Sequence, residues 1–407
     1  MSKIQISLPS DANASGRSFG EEELAELKKV IDSGTLNCTK GTAVIAFEKR
    51  FAEWIDMPHC RAVTSGTSAI HTAVAAVDPE PGDEIIGTPI TDMGAITPII
   101  YQTGIPTFAD VDPPTYNVTA ETIAKKITRR TKAVIVTHLF GNPCDMDPIV
   151  ALCKQKNLVL IEDCAQAFGT LYKGRHVGTF GDIGCFSLQQ GKHMSTGEGG
   201  MVVTRDPKHH RRMVLFSDKA WGYGDPKPDH YFVAPNYRMT ELAGAVALAQ
   251  IGKLDAMIAQ RVAMAKLMDE KLAGVRGVEA PKVTPGGKHT YWKYALWIDP
   301  KVIKGGADAL GGKLKEAGVF CVPRYIQKPA FECEVLRDKR SFGNSKFPWE
   351  GAHRAGDPPV VYDAKDTPGT VEALSRVVVL PWNEKYRPEH VDAIAGVVRA
   401  AAAELAG

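Results

Sequence analysis

From Ala62 to Thr204 the chain alternates short apolar runs with helix-patterned segments. The runs are Ala62–Val63, Glu84–Gly87, Pro106–Val111, Ala133–Leu139, Leu158–Glu162, Ile183–Leu188 and Met201–Thr204. A strand that is apolar on both faces must be covered on both, and parallel neighbours need a crossover long enough to hold a helix. The alternation predicts an α/β fold with a mostly parallel, seven-stranded type of sheet. At 407 residues there is chain for two large domains.

Helix signals flank this region. Glu21 to Ile31 carries Leu24, Leu27, Val30 and Ile31 at helical spacing and stops at Ser33-Gly34. Ala43 to Trp54 and Thr119 to Ile127 read as helices too. Asp147-Pro148 reads as an N-cap followed by proline at the first helical position. Thr240-Glu241 opens an Ala-rich helix to about Leu272, with a bend or break expected at Gly252. Composition shifts at Gly274 to Lys288. The expected division is a large domain over 1–260 and a smaller α+β domain over 261–407. The second holds strands at Trp292–Trp297 and Val319–Val322, helices at Ala307–Ala317 and Pro388–Leu405, and a long loop from Ser341 to Pro368.

Lys plus Arg is 49 and Asp plus Glu is 47, a net charge of +2. That balance gives no electrostatic reason to expect nucleic acid or an anionic membrane as partner. No apolar run approaches the ~18 residues a membrane span needs, and the N-terminal segment lacks a secretory core. The 8 cysteines form no C-x-x-C pair, so they read as reduced thiols and no metal site is indicated. A cytoplasmic protein is expected.

Three segments carry chemistry. Thr64-Ser65-Gly66-Thr67-Ser68 lies between a strand and a helix, where unpaired N–H groups attract phosphate. Leu160-Ile161-Glu162-Asp163 ends an apolar strand in carboxylates, at the strand end where parallel sheets bind ligands. One carboxylate capping the next helix is the alternative. Ser187 to Gly200 places a lone lysine, Lys192, before a Gly-rich turn. It is not a Walker A loop, since His193 follows the lysine, and the chain has no G-x-S-x-G. A desolvated lysine can lose its charge and attack a carbonyl. Together these residues suggest pyridoxal 5′-phosphate: a phosphate cradle, a carboxylate for the ring nitrogen and a lysine for the aldehyde.

The motifs S-G-T, E-D-x-A-Q, S-x-x-x-x-K-x-x-x-x-G-E-G-G and N-Y-R-M together resemble the DegT-type family of pyridoxal-phosphate-dependent sugar aminotransferases. The resemblance implies the aspartate-aminotransferase-like fold, type I. It implies that Lys192 forms the covalent aldimine and shuttles protons, that Asp163 pairs with the ring nitrogen and that Gln166 contacts the ring's phenolic oxygen. Gly66, Thr67 and Ser187 would hold the phosphate, and Asn236 would reach it from a neighbouring subunit, making a homodimer with shared sites. The implied reaction moves an amino group from glutamate or glutamine to the ketone of a sugar, nucleotide-linked sugar or cyclitol. The rivals are a dehydratase or aromatising enzyme on the same scaffold and a non-enzymatic cofactor-binding regulator.

The sequence departs from the family at the aromatic residue that stacks on the cofactor. Here Ile90-Thr91-Asp92-Met93-Gly94-Ala95 stands in its place; the aligned position is Asp92 or Met93, and Met93 is the expected substitute because a thioether packs on a ring. Gln189-Gln190 resembles the cyclitol branch. His138, Arg324 and Tyr325 are candidate substrate contacts. Packing is the alternative for His138, and a structural role for Arg324. Lys208 to Arg212 reads as a solvated helix face.

Overall fold

The structure, a computed structural model, describes residues 3–406. Its larger sheet has seven strands. Five are β1 (His59–Val63), β2 (Glu84–Gly87), β3 (Ile105–Phe108), β4 (Thr131–Thr137) and β5 (Val159–Asp163); Ile183–Ser187 and Gly200–Thr204 complete it. The order is β1, Gly200–Thr204, Ile183–Ser187, β5, β4, β2, β3. Only Gly200–Thr204 is reversed, pairing antiparallel with both neighbours; the remaining pairs are parallel. The chemistry-bearing ends of β5 and Ile183–Ser187 therefore lie side by side, with Asp163 opposite Cys185.

Helices cover both faces. The helix α1 (Glu21–Ser33) closes on Gly34, whose φ of 67° is left-handed and suits glycine. α2 (Ala43–Ile55) buries Phe47 and Phe51 against Phe168 and Phe186. α3 (Gly66–Val77) starts at Ser65, whose hydroxyl accepts the Ser68 N–H at 3.0 Å. The expected helix at Asp147 starts earlier, at Met146, with Asp145 in the cap position. Asp147 sits instead in the first turn and pairs with Lys173 at 2.5 Å. Thr119 does cap a helix, but that helix is only Ala120–Ala124.

The expected break at Gly252 is absent: Glu241–Leu272 is one helix of 32 residues. A Cβ on Gly252 would meet nothing within 4 Å, so this glycine sits on an open face and the hydrogen-bond ladder runs past it. The helix joins two cores. Ile251, Leu254 and Ile258 pack with α2, and Ala265, Met268 and Leu272 pack with the smaller sheet. The 260/261 position falls inside it. By length and composition this helix would also suffice to cross a membrane, which corrects the expectation of no such segment; its buried stripe faces the protein core.

The smaller sheet has the order Val278–Glu279, Lys293–Ile298, Val377–Pro381, Val322–Pro323, all antiparallel. Val319–Val322 was expected as a strand, but only Val322–Pro323 pairs. Pro368–Arg376 and Val377–Pro381, a helix and a central strand, carry no expectation from sequence. The faces bearing Ala295, Trp297, Val377 and Val379 pack on Val134, Val136 and Phe140 of the larger unit. That contact brings Tyr291 to Lys293 to the ends of β4 and β5.

Candidate active site

Strand alternation separates the two carboxylates of β5. Glu162 faces one side and Asp163 the other. Both Glu162 oxygens are occupied: the amides of Gly178, Phe180 and Gly181 donate at 2.7 Å, and His138 Nε2 donates at 3.0 Å. His138 Nδ1 accepts the Cys144 N–H at 3.0 Å, which fixes the tautomer with the proton on Nε2. His138 and Glu162 are wholly buried. The expected substrate contact by His138 is therefore corrected: both ring nitrogens are spent inside the protein. Cys164 lies near this pair, and a metal here would have to displace the hydrogen bonds that already occupy Glu162 and His138.

Asp163 is held differently. Its Oδ1 accepts the Ala165 N–H at 3.0 Å, and its Oδ2 the Thr137 hydroxyl at 3.3 Å. Burial raises its pKa above the usual carboxylate range, against the pull of Ala165, Lys192, His138 and Thr137. Lys192 sits in the loop beyond Ile183–Ser187. Burial brings its pKa down to about 8; Asp163, the strongest charge acting on it, opposes this, and Lys293 reinforces it. Its Nζ lies 4.2 Å from the centre of the Trp292 indole.

Gly66 and Ser187 touch. A Cβ on Gly66 would come within 2.6 Å of Ser187 Cβ and 2.9 Å of its Oγ. Since Ser65 takes the Ser68 N–H and its carbonyl takes the Ala69 N–H, the amides of Gly66 and Thr67 point out of the helix end. Gly94 brings the segment after β2 against the Thr67 hydroxyl. Gln166 accepts the Phe140 N–H at 2.8 Å, and the Tyr325 hydroxyl lies against its amide. Burial pushes the Tyr325 phenol well above its usual range, with Asp92 and Asp163 adding to the rise. Lys192, Asp163, Gln166, Gly66, Thr67, Ser187 and Tyr325 thus share one cleft.

The family model of the DegT/DnrJ/EryC1/StrS aminotransferases matches residues 17–350. The chain belongs to that family. It is a transaminase, and the family implies pyridoxal phosphate as cofactor. Among its relatives is the GDP-perosamine synthase of Escherichia coli O157:H7, 37% identical over 276 residues, covering 68% of this chain and 74% of that one. Another is the L-glutamine:2-deoxy-scyllo-inosose aminotransferase of Streptomyces kanamyceticus, 34% identical, covering 65% and 63%. An aminotransferase structure from Psychrobacter cryohalolentis superposes with a TM-score of 0.83 at 30% identity, covering 96% of this chain and 98% of that one.

In this DegT-family chain the cleft fits the cofactor. Only glycine at 66 leaves space beside Ser187, and the two free amides of α3 supply donors for a phosphate. Gly66→Ala should weaken cofactor retention at least about tenfold, a loss of roughly 1.4 kcal/mol. Equilibrium dialysis against pyridoxal phosphate measures this; unchanged retention would remove the cradle from the argument.

Other candidates fare less well. Met93 is partly buried and packs with the cluster of Ile96, Ile100 and Phe331. The residue of that stretch whose charge reaches Lys192 is Asp92. Arg324, at φ 60°, turns its guanidinium onto the Gln327 carbonyl at 3.2 Å. Gln189 accepts the Gly191 N–H and Gln190 donates to the Asp11 carbonyl, so each glutamine braces the loop through one end of its amide. Asn236 is exposed and bridges to Asp218. Trp292, Lys293 and Thr137 went unsuspected; the run Tyr291-Trp292-Lys293-Tyr294, ring and cation interleaved, was the available signal.

Proposed function

We propose that this chain transfers an amino group from glutamate or glutamine to the ketone of a sugar, nucleotide-linked sugar or cyclitol. The observation that carries the reading is Lys192, with its lowered pKa, sharing a cleft with buried Asp163 and the Gly66–Ser187 cradle. Relatives named for GDP-perosamine and for scyllo-inosose support the acceptor class. They do not favour the aromatising alternative.

When bound, pyridoxal phosphate supplies the electron sink that lets an amino acid lose its α-proton. The chain supplies the rest. Gly66 and Thr67 amides and the Ser187 hydroxyl would bind the phosphate. Asp163 would hold a proton on the ring nitrogen. Lys192 Nζ would bond the cofactor covalently between turnovers, then take the α-proton and return it one carbon away. Gln166 and Tyr325 would orient the ring's phenolic oxygen. A cytoplasmic homodimer completes the reading. Its support is the exposed Asn236, the 98% exposed Val233 nearby, and 8 unpaired cysteines.

The test is to load the protein with pyridoxal phosphate, add single amino acids, and follow conversion to pyridoxamine phosphate by absorbance. Keto sugars and inososes are then screened for reversal. No conversion by any donor would sink the reading. A second test uses pH. Only the neutral amine condenses with an aldehyde, so cofactor capture should accelerate up to about pH 8 and then level off. A lysine at its ordinary 10.5 would still be gaining at pH 10, and that result would contradict the site's electrostatics.

A further inference from the structure

Trp292 is clamped at both ends: its backbone N–H donates to the Phe140 carbonyl at 2.7 Å and its Nε1 to the Gly191 carbonyl at 2.7 Å. The fixed indole meets two ammonium groups. Lys192 Nζ is 4.2 Å from the ring centre and Lys293 Nζ is 5.0 Å. Lys293 is in turn pinned 3.2 Å from Asp11. The N-terminal segment that carries Asp11 also grips the lysine loop. Arg17 Nη1 donates to the Lys192 carbonyl at 2.8 Å, and Gln190 Nε2 to the Asp11 carbonyl at 2.9 Å.

We propose that Trp292 is a seat shared by two ammonium groups, and that Lys293, pinned by Asp11, and the indole together position the Lys192 amine whenever it is unbonded. The proposal rests on Lys192 being the reacting amine and extends that reading to the interval when the lysine is free. A π face favours a cation, so an unpaired charge can rest there without wandering. Two cations on one ring repel. Burial lowers the Lys293 pKa as well, with Arg261 and Arg17 adding to it and Asp11 opposing it. But Lys293 has Asp11 as an ion-pair partner at 3.2 Å, whereas Lys192 has none among the described residues, so Lys192 is the one that yields. The other groups facing Lys192 are Asp163 on β5, Asp92 after β2 and Glu198 before Gly200. The neighbouring His193 is neutral: burial lowers its pKa, and its Nε2 donates to the Thr290 carbonyl at 3.1 Å. All three acids favour the ammonium, which leaves Lys293 as the cationic side chain acting against it.

The experiment is competitive labelling of cofactor-free full-length protein with a small acylating reagent across pH, read peptide by peptide by mass spectrometry. The labelling midpoint of Lys192 should rise by about one pH unit in Lys293→Met, from loss of a charge at ring distance. Lys293→Arg, which keeps the charge, should leave it in place. Trp292→Leu should lower the midpoints of Lys192 and Lys293 together, because both lose the π face. An unmoved midpoint in Lys293→Met, an equal rise in Lys293→Arg, or a Trp292→Leu effect confined to one lysine would overturn the shared seat. No turnover is needed. A protein that shows these midpoints yet never transfers an amine would keep the seat and lose the transaminase reading of Lys192.

Discussion

Lys192→Ala should lose at least about 10³-fold in turnover, within the range a positioned acid–base group contributes, while still binding the cofactor non-covalently. The two halves of this result have separate causes. Turnover falls because Nζ is the atom placed to carry the proton, and the other nearby amine, Lys293, is tied to Asp11 across the indole. Reversible binding survives because the Gly66–Ser187 cradle and Asp163 stand on other elements and lose nothing. The bound cofactor should show the absorbance of a free aldehyde rather than that of the lysine-bound form, and should come away on dialysis. Folding should be unharmed. A desolvated ammonium costs stability, so the melting temperature should hold or rise. The Arg17 contact uses the backbone carbonyl of residue 192 and persists in alanine. Near-normal turnover in this variant would overturn the assignment of Lys192.

The contrast between Lys192 and its supports shows what a sequence can carry. Lys192 and Asp163 were legible because Asp163 ends one strand and Lys192 lies in the loop that follows the next, and the two strands are neighbours in a sheet whose alternation is written locally. His138 was misread because its role depends on register. Thr137 pairs with Asp163 and Val136 with Glu162, and only that pairing shows which carboxylate the histidine meets. Arg17 lies 175 residues from its contact at Lys192 and Asp11 lies 282 from Lys293; contacts at such separations leave no periodic trace. The helix Pro368–Arg376 opens on Pro-Gly, which reads as a turn, and so the central strand behind it was passed over. Gly252 shows the reverse failure. Glycine lowers helix propensity, but flanking residues buried in two cores outweigh one open position.

Asp163→Asn should cut turnover by about 10² to 10³-fold, the cost of losing a single preorganised charge contact, with a stable fold. The carboxylate is the group placed to keep a proton on the ring nitrogen. A neutral amide cannot stabilise that proton, so the ring withdraws electrons less well and the α-carbon gives up its hydrogen more slowly. Geometry should survive, since an asparagine oxygen can still accept the Ala165 N–H and its NH₂ can face the Thr137 hydroxyl, which also accepts. Stability should move the other way. Burial raises the Asp163 pKa above its unfolded value, and a carboxyl shifted upward opposes folding at pH values above both. Replacing it with a neutral side chain removes that cost, so the cofactor-free variant should melt at the same temperature or higher at pH 7.5. Lys192 should also change: without its strongest favourable charge its pKa should fall below about 8, and the pH profile of cofactor capture should shift to lower pH. Slower amine transfer, an undiminished melting temperature and an earlier capture profile, measured on one preparation, together identify Asp163 as an electrostatic partner of both ring and lysine. A variant that melts earlier, with capture unshifted, would instead make this residue a structural brace.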